Sequence, residues 1–403
     1  MNQPGPEAAA TQPEASLPAT LHPHLFPLAP PARTASHGKT LVGLLLGAAS
    51  GAVFGALLAT SGKRLLPEMD FPLWLAFFAG VVMGGWMQIV AHEAGHALAG
   101  RLAGLRLVAA GVGRWSWVRG SEGWQRVGAS SPQGVGGYAG MLPPENGDAS
   151  RIGYSLFTLG GVLANLALSA LCLWAATRGV PPWVVALLLG MTLVGLIQAV
   201  INLWPWKTRT GWQTDGMQLL DLWRNPAAFQ TDLAIQRTAA LTLAGLRPRD
   251  WPDGTTAPIT APPTDTRGAM ALLLRMAWAD DRDDDAEMNR LATMGPAAHR
   301  LLPDGIGQSM AIAMAGHAAT RLQDLPLLVA WRPLAEGAVL PTPAVLTWLD
   351  AEAARLQGDL PTARTASARA RSEVPKLFDA VSRTQTLEAL DKLDRQLGDV
   401  KLA

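Results

Sequence analysis

Four long runs almost free of charge fill the chain from residue 40 to residue 204, and they constrain its fold more than any other feature. They cover residues 40–60, about 71–100, 152–176 and 183–204. Each is long enough to cross a bilayer as a helix, which takes about 20 apolar residues. Backbone groups left unpaired in hydrocarbon cost several kcal/mol, so these runs are expected to be helical throughout. In the first run Gly43, Gly47, Gly51 and Gly55 recur every fourth residue. That places a stripe of small residues where another helix can approach closely.

The remainder divides around these runs. Residues 1–36, rich in Pro and Ala and without apolar periodicity, are expected to be a disordered tail. Residues 107–140 mix Val, Trp and Gly with turn signals such as Gly120-Ser121-Glu122-Gly123, which suits short strands. From 225 to 403 amphipathic runs are separated by Pro and Gly, as in a soluble helical domain with a protein partner. Residues 344–375 resemble one tetratricopeptide repeat, with Gly358 and Asp359 at the turn and Ala363, Ala370 and Pro375 at the expected offsets. The expected fold class is therefore an all-α polytopic membrane protein. It has about four transmembrane helices (37–224), a small membrane-associated β region, and a C-terminal soluble α-helical domain.

Composition excludes other classes. A formal net charge of +1 argues against a nucleic-acid binder driven by bulk charge. A single cysteine, Cys172, excludes a disulfide scaffold. Fifteen Trp against two Tyr suit anchoring at a membrane interface. Arg101, Arg106, Arg114, Arg119, Arg126 and Arg151 lie between the second and third runs, and Lys207, Arg209 and Arg224 follow the fourth. The positive-inside rule then places both termini and the loop 101–151 in the cytoplasm. The Ala-, Gly-, Arg- and Trp-rich composition points to a bacterial plasma membrane.

The chemistry concentrates in the second run. His92-Glu93-Ala94-Gly95-His96 matches H-E-x-x-H. On a helix, positions i and i+4 share a face. Two imidazoles one turn apart can hold one zinc ion, with the intervening carboxylate beside the water it activates. Three ionisable residues within five positions of a spanning segment are costly and call for a common partner. A catalytic zinc usually takes a third protein ligand. His22, His24, His37, His299 and His317 lie outside the apolar region, and Cys172 sits deep in the third run among Leu and Ala. Asp215, following the fourth run, is the better candidate, although its spacing fits a helix N-cap equally well.

In this order the motifs resemble the site-2 protease family of intramembrane zinc metalloproteases, over residues 80–222. The H-E-x-x-H helix is followed by Gly111-Val112-Gly113, by Gly136-Gly137-Tyr138 with Met141, and by Gly160-Gly161 ahead of Asn165. Asn202-Leu203-x-Pro205 with Asp215-Gly216 completes the set. The resemblance implies zinc held by His92, His96 and Asp215. It also implies Glu93 as general base, and Asn165 and Asn202 against the substrate backbone. Three departures stand out: Gly160-Gly161 replaces the family's Gly-Pro, the Pro205-to-Asp215 gap is longer, and no PDZ-like insertion is evident.

The expected activity is hydrolysis of peptide bonds in or near transmembrane segments of membrane proteins. Unwound substrate would add as a strand to an edge of the β region, so prolines at alternate positions from Arg114 to Arg119 should lower cleavage. The alternative is an inactive membrane adaptor whose helical C-terminal domain recruits partners. The intact Glu93 argues against it, because a scaffold has no need of a carboxylate in lipid. A metal-dependent transporter is disfavoured by the single asymmetric site and the lack of an inverted repeat.

Overall fold

The computed structural model describes residues 20–29, 52, 56, 69–120, 123–127, 136–144, 150–208, 212–338, 340 and 342–399. The first apolar run and its glycine stripe lie outside the described residues, apart from Ala52 and Ala56, which are helical.

The other three runs are helices long and apolar enough to cross a membrane: α1 (Phe71–Leu102), α2 (Arg151–Ala176) and α3 (Pro182–Leu203). Their ends follow local chemistry. Asp70 caps α1 by accepting from the Leu73 amide (3.0 Å), and Ser150 caps α2 from the Gly153 amide (2.9 Å). Pro182 opens α3, and α3 ends two residues before Pro205.

One stripe of α1 is buried every fourth residue: Gly80, Gly84, Gln88, His92, His96 and Gly100. Its first half is small, so neighbouring backbones come close. Gly80 packs on Leu187 and Gly84 on Met191, which makes α1 and α3 parallel. Gln88 meets Ser169, His92 meets Asn165 and His96 meets Phe157, which makes α2 antiparallel to α1. The start of α1, the end of α2 and the start of α3 therefore share one end of the bundle. Trp74, Trp174 and Trp183 are exposed there, and Trp204, Trp206, Trp212 and Trp223 are exposed at the other end. Two belts of Trp suit the two water–lipid boundaries.

Four antiparallel strands follow α1: β1 (Arg106–Val112), β2 (Trp115–Gly120), β3 (Gly123–Val127) and β4 (Gly137–Leu142), in the order β3-β2-β1-β4. The strand-forming reading of 107–140 is met. The proposed entry at Arg114–Arg119 is corrected, because β2 is an inner strand flanked on both sides. The sheet edges are β3 and β4.

Past α3 the chain turns back into α4 (Asp215–Arg224) and α5 (Phe229–Leu243). Phe229 and Leu233 pack with Leu105, Met141, Tyr154 and Leu222. By packing, α5 belongs with the sheet and membrane helices, although a boundary at 225 separates it from them in sequence. The C-terminal helices are α6 (Thr266–Asp281), α7 (Asp285–Ala292), α8 (Gly295–Leu301), α9 (Ile306–His317), α10 (Leu325–Trp331), α11 (Pro343–Leu356), α12 (Leu360–Glu373) and α13 (Ala380–Asp399). Leu272, Met276, Met310, Leu327, Trp331 and Leu349 form their common core. α11 and α12 make a hairpin closed by Gly358 at φ +81° and by Asp359, which caps α12. Phe378 docks this region on the sheet, against Ala109 and Val118.

Of the expected tail, residues 1–19 and 30–36 lie outside the described residues, whereas residues 20–29 are ordered against the rest of the chain. They lie on the C-terminal helices, with Leu25 inside the core and Thr20, Leu21 and His22 bonded to Asp324.

Candidate metal centre

His92 and His96 lie one turn apart on the buried stripe of α1, and α2 leaves room for them. A Cβ on Gly161 would sit 2.5 Å from His96 Nε2 and 2.6 Å from His92 Cε1. Only glycine fits at 161, which gives a local reason for the Gly-Gly pair.

The third donor arrives by a fold-back. After α3 the Thr208 amide donates to the Trp212 carbonyl (2.8 Å), and Lys207 bridges antiparallel to Gln213. The Thr214 hydroxyl donates to the Trp204 carbonyl (2.6 Å) and accepts from the Met217 amide (3.4 Å). Thr214, rather than Asp215, is therefore the N-cap of α4. Asp215 is the first helical residue, and its carboxylate is left free to turn inward. Gly216 lies against Leu203, where a side chain would strike the Leu203 carbonyl. This contact brings α4 back to the end of α3.

The three groups meet. Asp215 Oδ2 is 3.2 Å from His92 Nε2, Asp215 Oδ1 is 3.4 Å from His96 Nε2, and the two Nε2 atoms are 3.1 Å apart. All three residues are under 9% exposed. Among the described residues no other group of three His, Cys, Asp or Glu side chains is so arranged.

The surrounding bonds fix which atoms face the centre. The Gln88 carbonyl can only accept, so the Asn165 amide nitrogen donates to it (2.8 Å). Asn165 Oδ1 then faces His92 Nδ1 at 2.7 Å, and that nitrogen must be the donor. His96 Nδ1 likewise donates to the Phe157 carbonyl (2.9 Å). Both Nε2 lone pairs are thereby aimed inward, beside a carboxylate. Three electron-pair donors face one point, and a cation there removes their mutual repulsion. Zinc bound at about 2.0–2.1 Å in a tetrahedral array holds its N and O donors about 3.3–3.4 Å apart. The separations of 3.1, 3.2 and 3.4 Å come within about 0.3 Å of that spacing, so the three side chains could hold a metal ion. Imidazoles held through Nδ1 by carbonyl or amide oxygens are the usual support of such a site.

The other candidates fall differently. Glu93 lies beside the cluster, within electrostatic reach of His96, His92 and Asp215. Its side chain rests against Gly137 at the start of β4. Asn165 is fully buried, with its oxygen on His92 and its nitrogen on Gln88. In this arrangement both ends of the Asn165 amide are spent within the bundle, and its oxygen orients the His92 ring. Asn202, half-buried near the end of α3, donates to the Gln198 carbonyl (3.0 Å) and touches none of the three donors. Gln198 itself donates across to Gly85 (3.4 Å) as an interhelical tie.

Gln88 is the residue that motif reading missed. It is fully buried and takes Asn165 through both its carbonyls, while its own amide donates to Ser169 (3.3 Å). Its signal was available: it stands one turn before His92, an amide in an otherwise apolar run. No family model matches the chain, and neither a curated protein nor a solved structure is found similar to it.

Proposed function

We propose that this chain is an intramembrane zinc metalloendopeptidase of the site-2 protease type, cutting membrane proteins in or near their transmembrane segments. The observation that carries the reading is the inward convergence of three buried donors at 3.1–3.4 Å beside a free carboxylate, Glu93. His92, His96 and Asp215 would hold the zinc, which would supply a Lewis acid to polarise a carbonyl and acidify water. Glu93 takes the proton of the attacking water and hands it to the leaving amine. Asn165 and the Phe157 carbonyl keep the two imidazoles oriented. Edge strand β4 begins at Gly137, beside Glu93, so an unwound substrate pairing alongside β4 would run past the base. Asn202 would meet the substrate backbone from the end of α3.

Four spans fit this reading better than three. Residues 20–29 touch helices that follow all the spans, so both lie on one side of the membrane. That requires an even number of crossings between them. We therefore read the apolar run 40–60 of the sequence as a fourth span, with both ends on the cytoplasmic side of a bacterial membrane. The α11–α12 hairpin is a tetratricopeptide-like element of the helical region.

Purified protein should contain about one zinc ion per chain and cleave a fluorogenic transmembrane peptide. Glu93→Gln should keep the zinc and lower cleavage by about 10²–10⁴-fold, the usual contribution of a positioned base. Absence of metal, or full activity in Glu93→Gln, overturns the reading.

A further inference from the structure

Asp324, which caps α10 through Oδ1 (Leu327 amide, 3.0 Å), spends its other oxygen on a segment more than three hundred residues away. Asp324 Oδ2 accepts from the Thr20 hydroxyl (2.8 Å) and the Leu21 amide (3.2 Å), and it pairs with His22 Nδ1 (3.0 Å). Trp331, buried at the other end of α10, donates its indole N–H to the Leu25 carbonyl (2.9 Å). The Leu25 side chain is 3% exposed within the helical core, with Phe26 packed behind it.

This is how a peptide is read. One acceptor takes the backbone N–H of residue 21, and one donor takes the backbone C=O of residue 25. An apolar pocket between them takes a single side chain. Without the segment, the Asp324 oxygen and the Trp331 N–H lose their partners, and the Leu25 pocket opens to water. Buried polar groups of this kind are normally satisfied. Pro23 opens a single 3-10 turn over Pro23–Leu25, closed by the Phe26 amide on the Pro23 carbonyl (3.4 Å), and this turn points Leu25 into the core.

We propose that the C-terminal helices form a receptor groove for a short linear segment, and that residues 20–29 of this chain are its built-in, displaceable occupant. The recognised chemistry is a hydroxyl residue, a histidine two positions on, and a leucine three beyond that. The contact links the stretch ahead of the membrane helices to the region behind them, so its opening frees the groove for a partner segment of the same pattern. It is independent of the metal centre.

The probe is a fluorescein-labelled peptide of residues 20–29, titrated by anisotropy against the full chain in detergent. A tethered occupant acts at an effective concentration of about millimolar. The wild-type chain should therefore bind the probe at least about tenfold more weakly than a chain carrying Leu25→Asp, which cannot fill its own pocket. Adding Asp324→Asn to that chain should abolish the gain. A second chain, Thr20→Val with His22→Ala, alters only partly exposed side chains and guards against misfolding; it should show a smaller gain of about threefold. Equal affinity of wild type and both opened chains overturns the proposal, as does binding that survives Asp324→Asn.

Discussion

The membrane helices and the C-terminal helices are packed in opposite senses. In the first, Val82 (76% exposed), Leu98 and Leu163 point outward, while Gln88, His92, Asn165 and Ser169 are inside. In the second, Met276, Leu327 and Trp331 are inside, while Arg332–Asp350 and Arg371–Asp391 pairs lie on the surface. The difference follows from the solvent. In water, burying apolar surface drives assembly. In hydrocarbon that drive vanishes, and close packing of small residues with interhelical hydrogen bonds takes over. The polar interior of the membrane unit is thus both what holds α1 to α2 and what orients His92, a donor of the candidate metal centre. Its stability and its chemistry share the Gln88–Asn165–His92 chain.

The contrast would break most visibly at core positions. Met276→Ala should cost the helical region about 2–5 kcal/mol, as expected for a fully buried large side chain. Val82→Ala and Leu163→Ala on the outward face should shift stability by under about 0.5 kcal/mol. Denaturant midpoints followed by hydrogen exchange check both. Equal losses at Met276 and Val82 would mean the membrane unit is packed like a soluble domain.

Acid should loosen the helical region next. His317 is buried, with neither ring nitrogen hydrogen-bonded among the described residues. Burial, then the nearby Arg321, pushes its pKa down to about 4. The unfolded chain takes up that proton near pH 6.5. Stability is therefore intact above about pH 6.5 and falls by about 3 kcal/mol as the pH drops to about 4. His317→Leu should flatten the thermal midpoint across that window. Asp281 acts lower: despite burial, its bonds from Arg247, the Arg249 amide and Gln385 hold its pKa at about 2. Its contribution is present above the ordinary carboxylate range and is lost only as the pH falls through about 2.

A smaller effect sharpens the comparison within the membrane. Gln88→Leu removes the support of Asn165 and should weaken zinc binding about 10–100-fold, the usual cost of losing such support. Competition with a chelator measures it; unchanged affinity would reduce Gln88 to a packing residue. Smallest of all, Arg371→Ala breaks a solvated pair with Asp391 and Asp394 and should change stability by about 0–1 kcal/mol. A larger loss in thermal unfolding would show that the surface charges act as a network.

Local chemistry determined a good deal by itself. The lengths of the apolar runs set α1, α2 and α3 within a residue or two, and proline and capping residues set their ends. The four-residue spacing of His92 and His96 put both imidazoles on one face, because helix periodicity is a property of the backbone alone. Val-, Trp- and Gly-rich composition with turn residues disclosed the strands of 107–140. Other features depended on which elements stack against which. By spacing alone Asp215 read equally as a cap or a ligand; the pairing of 206–208 with 212–214 brought α4 to His92 and gave the cap to Thr214. Asn165 and Gln88 came to support His92 only because α2 lies antiparallel on α1. Residues 20–29 read as tail by composition, since their partners Asp324 and Trp331 are some three hundred residues away. Periodicity and capping act over a few residues, whereas a ligand set or a docked segment joins residues whose proximity only the packing of whole helices creates.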